Sequence, residues 1–143
     1  MLKISKMTDY AVIVLGALAQ GSDAASAADI ARQADLPLAT VAKVLKLLAR
    51  GGLVTSARGA AGGYRLAREP QAISVPDIIA AIDGPVLLTD CVGDHDSCAR
   101  SACSGRGRWD AVNRTIVTAL SEVSLVNLLP PLARMNMELR NHG

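Results

Sequence analysis

All three cysteines of the chain fall within thirteen residues, Cys91-Val-Gly-Asp-His-Asp-Ser-Cys98-Ala-Arg-Ser-Ala-Cys103. Their neighbours Gly93, Asp94, Asp96, Ser97, Ser101, Ser104 and Gly105 favour turns and give a hydrophobic core little to use. An inert structural cysteine normally sits among apolar side chains, so three thiols on a hydrophilic loop are poorly explained as packing. Three cannot pair off as internal disulfides. The spacing therefore points to a soft metal site, iron–sulfur or zinc, that needs a fourth ligand. The plain alternative is a loop whose thiols are incidental, or redox-active without metal.

The rest of the chain must position that loop. With 143 residues it suits one domain, or one small domain with an added element for oligomerisation. Half the residues are hydrophobic but only 2% are aromatic, with no Phe and a single Trp109, so the core must come from Ala, Leu, Val and Ile. Such a chain favours helices. The net charge of +2 is uninformative, but its distribution is not. Between residues 36 and 70, Lys43, Lys46, Arg50, Arg58, Arg65 and Arg68 face Glu69 alone. A local excess of this kind suits a polyanionic partner; charge alone would equally fit a solvated face.

The N-terminus imitates a secretory signal, with Lys3 and Lys6 ahead of an apolar run from Tyr10 to Ala19. Asp9 interrupts the edge of that run, which is about half the ~20 residues needed to cross a bilayer. It reads as a core helix of a cytoplasmic protein, a compartment that keeps thiols reduced. Thr8-Asp9 is expected to cap it, and Gly21 to stop it after Gln20. Because it is apolar nearly all round, it is expected to be covered on more than one side, by its own domain and by a partner subunit.

Ser26-Ala-Ala-Asp29 has the capping-box pattern and opens a short helix to about Ala34. Asp35-Leu36-Pro37 breaks the chain, and a third helix runs from Leu38 to Arg50. Val41, Val44, Leu45 and Leu48 fall at i, i+3, i+4 and i+7 and must face inward. Ala39, Thr40, Ala42, Lys43 and Lys46 are left on the outer, early face. Two helices joined by a tight break, the second basic near its start, form a helix-turn-helix. Leu53–Ala57 and Tyr64–Ala67 then flank a loop with Arg58, Gly59, Gly62 and Gly63, which predicts a β-hairpin wing. Glycines there let the loop approach a phosphate backbone, Arg58 suits a minor groove, and Arg65 adds charge. A helix-turn-helix followed at once by an Arg/Gly wing favours duplex DNA over a plain surface hairpin.

Ser74-Val-Pro-Asp77 starts a further helix to Ile82, stopped by Gly84-Pro85. After the cysteines, Trp109, Val112, Ile116, Leu120 and Val123 recur at helical spacing, with Asp110, Asn113, Arg114 and Glu122 expected to be exposed. A long amphipathic helix beyond the main domain reads as a dimerisation helix, with docking on its own chain as the alternative. Ser124 is expected to interrupt it and cap a last turn to Leu129. Pro130-Pro131 then ends regular packing, leaving a mobile tail. The expected architecture is mostly α with a small β wing. It comprises a winged helix-turn-helix DNA-binding domain (1–83), a cysteine-containing loop (84–107), a dimerisation helix (108–129) and a tail (130–143).

These features together resemble a known family. Ile4-Ser-Lys-Met-Thr-Asp-Tyr-Ala11, Leu36-Pro37-Leu38, Gly52-Leu53-Val54, Arg58-Gly59-x-x-Gly62-Gly63-Tyr64-x-Leu66-Ala67 and the three-cysteine loop before Trp109 are similar to the IscR/NsrR type of winged-helix regulator. The opening ten residues look most like the branch that regulates the SUF pathway of iron–sulfur cluster assembly. The resemblance implies a homodimeric transcription factor whose Cys91, Cys98 and Cys103 hold a [2Fe–2S] or [4Fe–4S] cluster. It also implies that Ala39, Ala42, Lys43 and Arg58 read DNA. Ala42 stands where some relatives carry a glutamate that discriminates targets, so sequence preference does not transfer. Six residues and then four separate the thiols here, against five and five in better-known members, although the outer separation is the same. Where one branch has a histidine three residues after the last cysteine, this chain has Arg106, which cannot ligate. Another branch uses an aspartate near the partner subunit's N-terminus, which Asp9 matches, and His95 competes with it for the fourth position.

Within the family, the alternative to cluster-assembly control is a sensor of nitric oxide or redox state. From another class, a small iron–sulfur electron carrier would not need a basic helix-turn-helix and wing. An enzyme is disfavoured, since His95 and His142 are the sole histidines and no nucleophile–base pair is evident. Neither a membrane nor a small-molecule substrate is expected as a partner.

Overall fold

A computed structural model describes residues 3–60, 62–89, 92, 104 and 107–143. The first helix, α1 (Lys6–Gln20), is capped by Ser5, three residues before the expected cap Thr8-Asp9. The Ser5 hydroxyl accepts the Thr8 N–H at 3.1 Å, one of the donors a helix start leaves without an intrahelical partner. Thr8 is not a cap but a buried side chain, 2% exposed. Ala11, Val14, Leu15 and Leu18 of α1 are buried at the centre of the core, while Ile13 remains partly in solvent.

Helix α2 (Ala27–Ala34) starts on Ser26 as expected, and its C-cap Asp35 adopts the left-handed conformation at φ 52°. That turn sends the Leu36 N–H back to the Ala31 carbonyl at 3.1 Å and aims the chain into α3 (Leu38–Arg50). The inward set of α3 is Val41, Val44, Leu45 and Leu48, all fully buried against α1. Strands β1 (Val54–Ala57) and β2 (Gly63–Leu66) form an antiparallel hairpin pairing Val54 with Leu66 and Ala57 with Gly63. Ala25, just before α2, adds a bridge to Tyr64, with Tyr64 N–H donating to Ala25 O at 2.8 Å. Gly63 is required there: at φ 136° a Cβ would stand 2.8 Å from the Ala25 backbone. The bridge ties the base of the hairpin to the start of the helix-turn-helix.

A 3₁₀ turn at Pro70–Ala72 leads to α4 (Val75–Asp83), whose Ser74/Asp77 capping box is present. Helix α5 (Asp110–Ser121) packs on α4, so it is not without a partner in its own chain. Ile116, Leu120 and Val123 are half-buried, whereas Trp109 and Val112 are exposed. The short α6 (Leu125–Leu128) carries the buried Leu125.

The tail is where expectation and structure part. Residues 131–141 form α7 (Pro131–Asn141), with Pro131 at its first position, where the missing N–H costs nothing and the fixed φ suits a helix. Ala133 and Met137, one turn apart, are buried against the core, and Arg140 Nη2 donates to the Ala19 carbonyl at 3.3 Å. Among the described residues the architecture is thus mostly α with a two-stranded wing, a winged helix-turn-helix followed by three further helices.

Candidate nucleic-acid interface and thiol segment

The outward residues of α3 follow from the inward ones. With Val41, Val44, Leu45 and Leu48 committed to the core, Ala39, Ala42, Lys43 and Lys46 are exposed and Thr40 is half-buried. In the hairpin, Arg58, Gly59 and Arg65 are exposed as well. Among the described residues no ion pair engages Lys43, Lys46, Arg50, Arg58 or Arg65; the pairs formed are Arg32–Asp29 and Arg68–Asp77. The basic charge of residues 43–65 is therefore paired with no carboxylate among the described residues and suits an external polyanion.

Cys91, Cys98, Cys103 and His95 lie outside the described residues. Among the described residues, no group of three or more His, Cys, Asp or Glu is placed to hold a metal ion. Asp9 is exposed in the first turn of α1, with its carboxylate in no hydrogen bond or ion pair among the described residues.

What the structure does describe is how the approach to the thiols is fastened. At the end of α4, Asp83 Oδ2 accepts hydrogen bonds from the Ser5 hydroxyl and, at 2.9 Å, from the Thr8 hydroxyl. These bonds span more than seventy residues and fix the exit of α4 to the first turn of α1, the turn that carries Asp9. A hydrogen bond to an ionised carboxylate is stronger than a neutral one, about 1.5–3 kcal/mol net. Three residues beyond, the buried Asn113 of α5 grips the chain: its Nδ2 donates to Val86 O at 3.1 Å and its Oδ1 accepts Leu88 N–H at 2.9 Å. Asn113 was expected to be exposed. Its place one turn after Trp109 looks like an outer position of an isolated amphipathic helix, and only the docked segment 86–88 turns that position inward. At the other end of the loop, one carboxylate oxygen of Asp110 is buried without a hydrogen-bond partner among the described residues.

Sequence reasoning missed Ser5, Thr8, Asp83 and Asn113. A hydroxyl-rich helix start is visible in the sequence, but its carboxylate partner 75 residues away is not.

No helix among the described residues is long and apolar enough to cross a membrane. Residues 4–131 match the Rrf2 family, described as iron-dependent transcriptional regulators. The chain is 33% identical over 102 residues to the HTH-type transcriptional regulator IscR of Vibrio cholerae; the match covers 71% of this chain and 59% of that relative. Among solved structures it is similar to CymR (YrzC), the global cysteine regulator of B. subtilis, at 30% identity and TM-score 0.66, covering 90% of this chain and 96% of that one. It is likewise similar to T. potens IscR, at 32% identity and TM-score 0.63, covering 89% and 85%. These relatives are transcriptional regulators rather than enzymes. A winged helix-turn-helix with a basic face and a family match over most of its length place this chain in the Rrf2 family of DNA-binding transcriptional regulators.

Proposed function

We propose that this regulator works as a homodimer in the cytoplasm, holds an iron–sulfur cluster on Cys91, Cys98 and Cys103, and controls genes of iron–sulfur cluster assembly of the SUF type. The observation that carries the reading is the double fastening of the lead-in to the thiols, by Asp83 to α1 and by Asn113 to α5. A change at the thiol segment then has a direct mechanical route to both helices. The donor set fits the group: three soft thiolates within thirteen residues suit iron–sulfur ligation. The carboxylate of Asp9, exposed and unengaged among the described residues, is the fourth-ligand candidate, supplied by the partner subunit as in the family branch it resembles; His95 is its rival.

When bound, the cluster supplies a redox- and iron-sensitive crosslink between cysteines. The chain's own residues do the rest. Ala39, Thr40, Ala42, Lys43 and Lys46 of α3 face the major groove, and Arg58, Gly59 and Arg65 of the wing contact the backbone and minor groove. Residues 1–83 act as the DNA-binding domain, 84–107 as the sensing loop and 108–129 as the dimerisation element. In the dimer, Trp109 and Val112, exposed in the single chain, are covered by the partner. A coupling of about 1–3 kcal/mol between thiol segment and DNA face is the usual size for such a switch.

The test is anaerobic purification with iron and sulfide counts, followed by titration of a promoter upstream of cluster-assembly genes. Wild type should be coloured, Cys98→Ala colourless, and operator affinity should differ between the two. A colourless wild type with stoichiometric zinc would end the cluster reading while leaving DNA binding intact. Loss of colour on nitric oxide with no response to iron supply would shift the role to nitric-oxide sensing.

A further inference from the structure

The outer face of α3 is chemically lopsided. From its start, the residues turned away from the core are Leu38, Ala39, Ala42, Lys43 and Lys46, with Thr40 half-buried. Leu38, the first helical residue, is 53% exposed and follows an exposed Pro37. By helical spacing Leu38 and Ala42 share one edge, four residues apart, and Lys43, Lys46 and Arg50 follow the other. The first two turns carry no Asn, Gln, Arg, Asp or Glu. Of the side chains that hydrogen-bond base edges, these turns hold only Lys43, on the other edge, and the half-buried Thr40. Lys46 and Arg50, further along the helix, suit phosphates, which position the helix without reading sequence. What the edge does offer a base pair is hydrocarbon.

In the major groove the one apolar feature a base presents is the thymine 5-methyl group. Resting on the reading of α3 as the groove-facing helix, we propose that Leu38 and Ala42 are specificity-determining residues of this regulator and that they select A·T pairs through thymine methyl groups. Contact removes the Leu38 side chain and the methyl from water together. A G·C pair at the same step has no methyl to offer the same hydrocarbon, so less apolar surface leaves water there. Removing a single methyl from such a contact weakens binding about fourfold.

The experiment begins with full-length protein and a pool of random-sequence duplexes. Enriched duplexes are resynthesised with deoxyuridine in place of one thymidine at a time, which deletes the methyl and preserves base pairing. At one or two thymines in each enriched site the replacement should weaken binding about fourfold, and Leu38→Ala should make binding indifferent to it at one of them. Lys46→Ala should weaken the dT and dU duplexes by the same factor. Enriched duplexes that bind tightly yet tolerate deoxyuridine at every thymine would overturn the methyl readout and leave the DNA-binding face standing. Failure to enrich any duplex would remove the reading of α3 itself and the inference with it.

Discussion

The grip of Asn113 on residues 86 and 88 gives a sharp prediction. Replacing it with Ala removes two hydrogen bonds, of 3.1 and 2.9 Å, each worth about 1 kcal/mol net. Were the segment to stay in place, Leu88 N–H and Val86 C=O would also lose their partner in a half-buried setting, raising the cost to about 4 kcal/mol. The segment has an escape, because Leu87 is exposed and the chain there can peel into water. The penalty is then capped by the cost of local opening. We expect about 2 kcal/mol, which accelerates hydrogen exchange of the Leu88 amide roughly 30-fold. Amides of the fully buried Val44 and Leu48 in α3 should keep their protection, and the melting temperature should fall by only a few degrees. The assay is exchange mass spectrometry of wild type and Asn113→Ala side by side. Unchanged Leu88 exchange would refute the fastening; equal acceleration at Leu88 and in α3 would refute its local character.

Gly63→Ala should destabilise the protein by about 2–4 kcal/mol, through a positive φ and a Cβ 2.8 Å from Ala25, with a drop of roughly 10 °C on thermal melting. A melting curve that overlays wild type would dismiss the close approach. Met137→Ala, in a helix docked on the core, should cost about 2–3 kcal/mol in denaturant unfolding; no change would mean that α7 contributes nothing to the core. The Ser26 hydroxyl, helped by its backbone N–H and by Arg32, holds the Asp29 carboxyl below its ordinary 3.8. Because the folded value is depressed, its stabilising contribution is fully present above the ordinary carboxylate range and is lost as pH falls through the lowered value. Wild type and Asp29→Asn should therefore converge in melting temperature in strong acid and separate near neutral pH.

The fold was legible wherever local chemistry decides it. The i, i+3, i+4, i+7 pattern of α3, the Ser26 and Ser74 caps, and the glycines of the wing each gave an element within a residue or two of its observed bounds. Pro130-Pro131 was misread because a proline pair stops one helix and can begin the next; Met137 and Ala133 decide which, and they do so only through a distant surface on α1. Thr8 was misassigned for a related reason. Ser5, Thr8 and Asp9, within five residues, each invite a capping reading, and which one caps depends on Asp83 claiming Thr8 from across the fold. On the basic face, burial of four aliphatics fixes what is left outside, and Ala39, Ala42, Lys43 and Lys46 are exposed as expected, while Thr40 is half-buried.

The β-bridge between Ser74 and Ser124 brings out one more property of the fold. Val75 N–H donates to Val123 O at 3.0 Å and Leu125 N–H to Ile73 O at 2.8 Å, just where α5 ends and α4 begins. At its opposite end, α5 is held by Asn113 to the residues that follow α4. The two helices are thus riveted head to tail and tail to head, like the rails of a ladder with a rung at each end. A twist applied to α5 has no slack in which to dissipate and must turn α4 with it, which makes this pair a lever rather than a tether.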